Sequence, residues 1–218
     1  ARRSRRQPGP APQEGATRGG LRQRQTRSPF RDLTLARAIS PHLTNFLNFT
    51  RFGYRSARRH WNPASACLRD RHILITGATS GLGLATAEAL AARGAKLTLV
   101  ARDADKAQHV AQSLARRSGN KRIHVEIAEL SELGEVRALA ARLLKKGTAI
   151  DVLVNNAGAL INPREETAEG LEKSFALLLV SPYLLSTRLH PLLRKAAVQH
   201  GVARVVNVLS GGMYTQKI

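Results

Sequence analysis

Cysteine is almost absent from this 218-residue chain: Cys67 is the only one. An internal disulfide framework is therefore excluded, and a lone thiol reads first as a small, mildly apolar side chain. Methionine is as scarce. Met213 stands alone and Ala1 opens the chain, which reads as a processed form or a piece of a longer protein. No apolar run reaches the ~18 residues of an isolated membrane-spanning helix. No Cys-x-x-Cys occurs, and the seven histidines show no ligand spacing, so no metal site is expected. Acidic residues are the last scarcity: 15 Asp and Glu stand against 35 Lys and Arg, for a net charge of +20. The excess is uneven. Residues 1–69 carry 15 Arg, no Lys and 2 acids, whereas residues 70–218 carry 20 basic and 13 acidic residues.

The chain divides into three parts. Residues 1–30 are rich in Arg, Pro, Gly, Gln and Ser, and cannot bury enough apolar surface to offset backbone entropy; they read as a disordered Arg-rich leader. Residues 31–69 read as a basic amphipathic helix and linker. Leu43, Phe46, Leu47 and Thr50 follow the i, i+3, i+4, i+7 spacing of one helix face, with Pro41 at its start. Such a segment lies on a membrane surface or packs on the protein's own domain, and both readings stand. Nucleic acid is a weaker partner for the basic leader. Cytoplasm, a membrane periphery and organelle import all stay open as compartments.

From Asp70 the pattern is regular. Apolar runs at 72–76, 96–102, 122–130, 150–158 and 203–212 read as strands. Helical patterns at 84–95, 104–119, 131–147 and 168–201 separate them, with Ser131 as an expected N-cap. Strands alternating with helices in this way predict an α/β fold with a doubly wound parallel sheet.

The first strand runs into Gly77-Ala78-Thr79-Ser80-Gly81-Leu82-Gly83. Glycine lets a backbone approach a pyrophosphate where a Cβ would block it. The helix that follows points its free N–H groups and positive dipole end at the phosphates. Thr79 and Ser80 can add hydroxyl hydrogen bonds. A dinucleotide is the expected ligand. The end of the second strand reads which one. NAD sites place an acid there for the ribose 2′-OH, whereas here Ala101 is followed by Arg102, whose guanidinium suits a 2′-phosphate. NADP(H) is thus favoured over NAD(H).

"TGATSGLG" (76–83) and "NNAG" (155–158), in this order and at this separation, resemble the signatures of the short-chain dehydrogenase/reductase family. The resemblance implies a Rossmann-type domain over 70–218 and an oxidoreductase acting between a nicotinamide and a small carbonyl or alcohol substrate. It implies that Gly77, Ser80, Gly81, Leu82 and Gly83 wrap the pyrophosphate, that Glu129 and Leu130 stand at the adenine, and that Asn156, Ala157 and Gly158 line the nicotinamide ribose. Asn155 and Asn156 brace the central strand. Ser210 takes the place of the catalytic serine that polarises the substrate oxygen. A homo-oligomer stays open as an expectation.

Two departures qualify the resemblance. Where the family has an asparagine in its fourth helix, this chain reads Phe175-Ala176-Leu177-Leu178, with Leu178 in its place. The family's acid/base pair, a Tyr followed four residues later by a Lys, has no match after Ser210; Tyr214 and Lys217 are three apart and read as a loop. The resemblance therefore implies further strands and a Tyr-bearing helix beyond Ile218, an inactive chain as given, and apolar surface left open near strands four and five. The alternatives are a non-catalytic NADP-binding protein and a basic membrane- or nucleic-acid-binding protein acting through residues 1–61.

Overall fold

The computed structural model describes residues 50–60 and 67–210, which fall in two units, Ala1–Asn62 and Pro63–Ile218. In the first unit, helix α1 spans Arg51–Arg58 and buries none of its residues. Arg51, Arg55 and Arg58 recur at i, i+4 and i+7 on one face, while Phe52 and Tyr54 are exposed beside it. Of the predicted apolar face, only Thr50 is described, as the extended N-cap residue of α1; the leader and Leu43, Phe46 and Leu47 lie outside the described residues.

The second unit is a parallel five-stranded sheet. Its strands are β1 (His72–Thr76), β2 (Lys96–Ala101), β3 (Ile123–Ile127), β4 (Val152–Asn155) and β5 (Arg204–Asn207), in the order β3-β2-β1-β4-β5. The strand order reverses beside β1, which places the switch-point crevice at the carboxyl ends of β1 and β4. Helices α2 (Gly81–Ala92) and α3 (Ala104–Ser118) cover one face. On the other lie α4 (Leu133–Lys146), α5 (Lys173–Phe175), a π-helical turn (Ala176–Val180), α6 (Ser181–Arg188) and α7 (His190–His200).

Both faces of β1 are buried, which is why His72–Thr76 reads as an unbroken apolar run rather than an alternating one. Successive side chains point to opposite sides. Leu74 joins Val100, Leu153, Leu139 and Leu185 in one core, and Ile73 and Ile75 join Leu97, Leu99, Val154 and Ala87 in the other. Truncating any of the fully buried leucines to alanine costs ~2–5 kcal/mol.

Two sequence expectations are corrected. The single long helix over 168–201 is broken. Gly170 adopts a left-handed φ of 77° in a turn, Glu172 caps the start of α5 by accepting from the Ser174 and Phe175 N–H groups, and the chain bends by 55° around Leu189. Pro191 in the first turn of α7 lacks the N–H that an unbroken helix would require, so a new helix starts there instead. Ser131 is not an N-cap either. It is buried, its hydroxyl donates to Glu129, and Glu132 takes the N-cap position of α4. Among the described residues no single helix is long and apolar enough to cross a membrane.

At the edge, β5 pairs, among the described residues, only with β4, and all four of its residues are exposed. Val205, Val206, Val208 and Leu209 are exposed at this edge.

Candidate functional site

The end of β1 builds the site from one side chain outward. Thr76 is buried, and its hydroxyl donates to Val154 O (3.3 Å) while accepting from the backbone N–H groups of Asn156 and Ala157 (2.9 Å each). Asn156 returns the contact: its Nδ2 donates to Thr76 O (3.0 Å) and Gly77 O (3.2 Å). The glycine turn and the loop after β4 are thereby locked together at the switch point. The sequence reading missed Thr76, although its place at the last residue of the strand before Gly77 was the available signal.

Two glycines are required by this arrangement. A Cβ on Gly83 would sit inside van der Waals contact of the Gly77 carbonyl oxygen and 2.5 Å from Asn156 Nδ2. Gly77 has a φ of 65°, and a Cβ there would meet Ala157 Cα at 2.8 Å. By contrast, Gly81, with a φ of 53°, faces open space. The close packing falls on the inner side of the turn, and its outer side is left free for a ligand.

That outer side opens into a cavity of about 480 Å³, within the usual range of small-molecule sites. Gly77, Thr79, Ser80, Gly81, Leu82, Arg102, Glu129, Leu130, Asn156, Ala157 and Gly158 all line it, so eleven of the twelve proposed cofactor residues meet in one place. The twelfth, Gly83, is buried behind the turn. Helix α2 starts at Gly81 and aims its first N–H groups and positive dipole end at this space.

The polar rim is settled by three acids. Asp103 is the N-cap of α3, its carboxylate accepting from Lys106 N (2.9 Å). Glu129 is turned back on its own loop, Oε1 accepting from the Ser131 N–H (3.0 Å) and hydroxyl (2.9 Å). Glu135 accepts from Glu129 N (2.6 Å). Two cations face the cavity. Arg102 is 78% exposed with Glu129 4.0 Å away, and Lys106 lies one turn into α3. Lys106 was not foreseen; its spacing of four from Arg102 was the signal.

The inner end is apolar. Leu177 is buried in the π-helical turn and lines the cavity, and a Cβ on Gly158 would lie 3.2 Å from Leu178 Cδ2. Single π-helical turns often mark functional sites. Here the turn brings Leu177 to the wall and sets Leu178 beside Gly158, where the resemblance predicts an amide. Ser210 is not among the cavity residues. It lies two residues past Val208, which is, and it is exposed. Asn155 Nδ2 donates to Asn207 Oδ1 (2.8 Å) and Ser186 Oγ (3.2 Å), tying β4 to β5 beneath this point. Tyr214 and Lys217 lie outside the described residues.

Comparison with known proteins agrees with this geometry. The short chain dehydrogenase family matches over residues 71–216. The chain belongs to the short-chain dehydrogenase/reductase family. It is 36% identical over 188 residues to the human dehydrogenase/reductase SDR family member 12, covering 85% of this chain and 58% of that protein. Among solved structures it resembles a short-chain dehydrogenase from Sphingobium yanoikuyae in complex with NADPH (33% identity, TM-score 0.54, covering 64% of this chain and 53% of that one). It also resembles the Pseudomonas aeruginosa RhlG/NADP active-site complex (32% identity, TM-score 0.57, covering 69% and 58%). The chain thus spans somewhat over half the length of the proteins it matches.

Proposed function

We propose that residues 67–210 form the NADP(H)-binding part of a short-chain reductase acting on a small carbonyl or alcohol substrate. The observation that carries this reading is the placement of Arg102 and Lys106 at the rim of the glycine-turn cavity; of the two acids between them, Asp103 lines the cavity but caps α3, and Asp105 is not among the lining residues. An acid held in this way is a poor acceptor for a ribose 2′-OH, whereas two cations suit a 2′-phosphate. The bound cofactors of the two solved relatives support the same ligand class.

The residues fit such a ligand. The turn Gly77–Gly83 offers backbone N–H groups and the α2 N-terminus to a pyrophosphate, with Thr79 and Ser80 as hydroxyl donors and Leu82 flanking. Leu130 supplies an apolar wall at the adenine end, where Glu129 contributes its backbone and stem because its carboxylate is occupied. Asn156, Ala157 and Gly158 would border the nicotinamide ribose. A bound nicotinamide supplies or accepts the hydride. Ser210 would hydrogen-bond the substrate oxygen, and a Tyr/Lys pair of the family type would move the proton.

A second reading, binding without reduction, is favoured by Leu178, which stands where the family has an asparagine. Titration of the purified chain with NADPH and NADH, followed by nicotinamide fluorescence, tests the shared part; tighter NADPH binding is expected, and equal affinities would reject the 2′-phosphate reading. Oxidation of NADPH with a panel of carbonyl compounds separates the two. We expect binding without turnover for residues 1–218.

A further inference from the structure

The charge of the folded unit is arranged by end. In a parallel α/β sheet the helix C-termini and strand N-termini share one end, opposite the nucleotide crevice. At that far end stand Arg69, Arg93, Arg116, Lys121, Arg122 and Lys145, all exposed. Some of these cations serve the fold. Arg93 Nη1 donates to Ala89 O (3.0 Å), Arg122 donates to Gly94 O, and the others cluster where helix dipoles are negative. Arg116, Lys121 and Lys145 take part in no ion pair among the described residues. The acids of this end are spoken for or few. Asp151 is buried against Arg71 and His200, Glu126 is buried against Arg142 and Lys146, Glu88 pairs with Arg117, and Asp70 alone is exposed without an ion pair. At the crevice end the balance reverses, with Glu132, Glu135, Glu165, Glu166, Glu169 and Glu172 around the β4–α5 loop and the start of α4.

We infer that the far end of the sheet is a docking face for an anionic lipid surface, with the nucleotide crevice turned away from it. The cations are spread across the C-terminal ends of several helices, and four of them, Arg69, Arg93, Lys121 and Arg122, line a shallow hollow there. Two observations select lipid over nucleic acid. Among the described residues of this unit, no aromatic side chain is exposed at that end to stack on bases. Val198 (80% exposed) and Val202 (41% exposed) stand among Arg194, Lys195 and Arg204, as apolar residues that can enter a headgroup layer do. The inference does not depend on the nucleotide reading.

The experiment is co-sedimentation of the full chain with phosphatidylserine-containing vesicles and with pure phosphatidylcholine vesicles at low and moderate salt. Binding to the anionic vesicles alone, lost as salt rises, is expected. Two triple variants remove the same charge from opposite ends: Arg116→Gln/Lys121→Gln/Lys145→Gln at the far end, and Arg137→Gln/Arg164→Gln/Lys173→Gln near the crevice. The first should weaken partitioning at least ~10-fold, since each surface cation contributes roughly fivefold, and the second no more than ~2-fold. Both sets are exposed or half-buried, and circular dichroism checks that each variant folds. Equal effects of the two triples would assign binding to the leader alone and overturn the docking face. Retention on single-stranded RNA with no retention on anionic vesicles would overturn it as well.

Discussion

The turn Thr76–Gly83 and strand β5 belong to the same sheet and are held by opposite means. In the turn each group is fixed by a near neighbour: Thr76 by Val154, Asn156 and Ala157, and Gly83 by the Gly77 carbonyl and Asn156. In β5 the backbone is paired on one side only, and the side chains of Val205 and Val206 remain about two-fifths exposed. The difference shows that the glycine turn is a short, locally determined strand–turn–helix unit, whereas β5 is held, among the described residues, by one neighbouring strand alone.

The largest effect should come from breaking the turn. Gly83→Ala places a methyl group into backbone atoms that cannot move without dragging the Asn156 loop, and should cost about 3 kcal/mol of stability and abolish NADPH binding. Urea denaturation and nicotinamide fluorescence measure the two. Retained NADPH affinity would mean that the turn is looser than its packing implies.

Next comes the polar anchor at the opposite end of β1 and β4. Asp151 is 4% exposed and accepts from His72 N (2.8 Å), Arg71 Nη1 (2.9 Å) and His200 Nδ1 (2.6 Å). Burial alone would raise its pKa, but these donors outweigh burial and hold the carboxyl below its ordinary range. Asp151→Asn should cost about 2 kcal/mol near neutral pH. A depressed carboxylate stabilises above its unfolded pKa, and that stability is lost as pH falls through the folded one. Burial also pushes the His72 imidazole down, so unfolding takes up a proton once pH drops below ~6.5. Both groups make acid destabilising. The Asp151→Asn chain should therefore lose less stability than the parent as pH falls from ~5 through the lowered range of the folded carboxyl; parallel profiles over that window would show that Asp151 is not the group responsible.

A smaller effect, confined to the ligand, is expected at the cavity rim. Arg102→Glu should weaken NADPH binding about 30-fold and NADH binding less than about 3-fold, and Lys106→Gln should weaken NADPH about 5-fold. Equal losses for both nucleotides would remove the 2′-phosphate role from this pair.

The legibility of the sequence followed the same division. The strands, α2, α3 and the eleven cavity residues were readable because periodicity, glycine spacing and the Asn155–Gly158 run are local signals. What escaped depended on distant partners. Thr76 matters through a loop 80 residues on, and Ser131 lost its expected capping role because Glu129 and Glu132 took the two positions around it. The bend at Leu189 comes with Pro191, and the π-helical turn at Ala176–Val180 widens the helix without breaking it; neither disturbs an apolar helical pattern. Lys106 was hidden in an ordinary helix, and its role emerges only once Asp103 is seen to be occupied.

The smallest expected effect tests β5. Val206 aligns with Val154 of β4 and retains 42% of its surface in solvent. Val206→Thr keeps the β-branched shape and adds a hydroxyl that water can satisfy, so it should change stability by less than about 0.5 kcal/mol. The matching change at Val154, which is 7% exposed, removes buried apolar surface and adds a buried hydroxyl, and should cost about 2 kcal/mol. If Val206→Thr instead costs as much as Val154→Thr, β5 is covered in solution. Sedimentation of the parent chain over a range of concentrations would then show whether the cover is a second copy of this chain; a dimer that dissociates in the Val206→Thr variant would identify β5 as the contact.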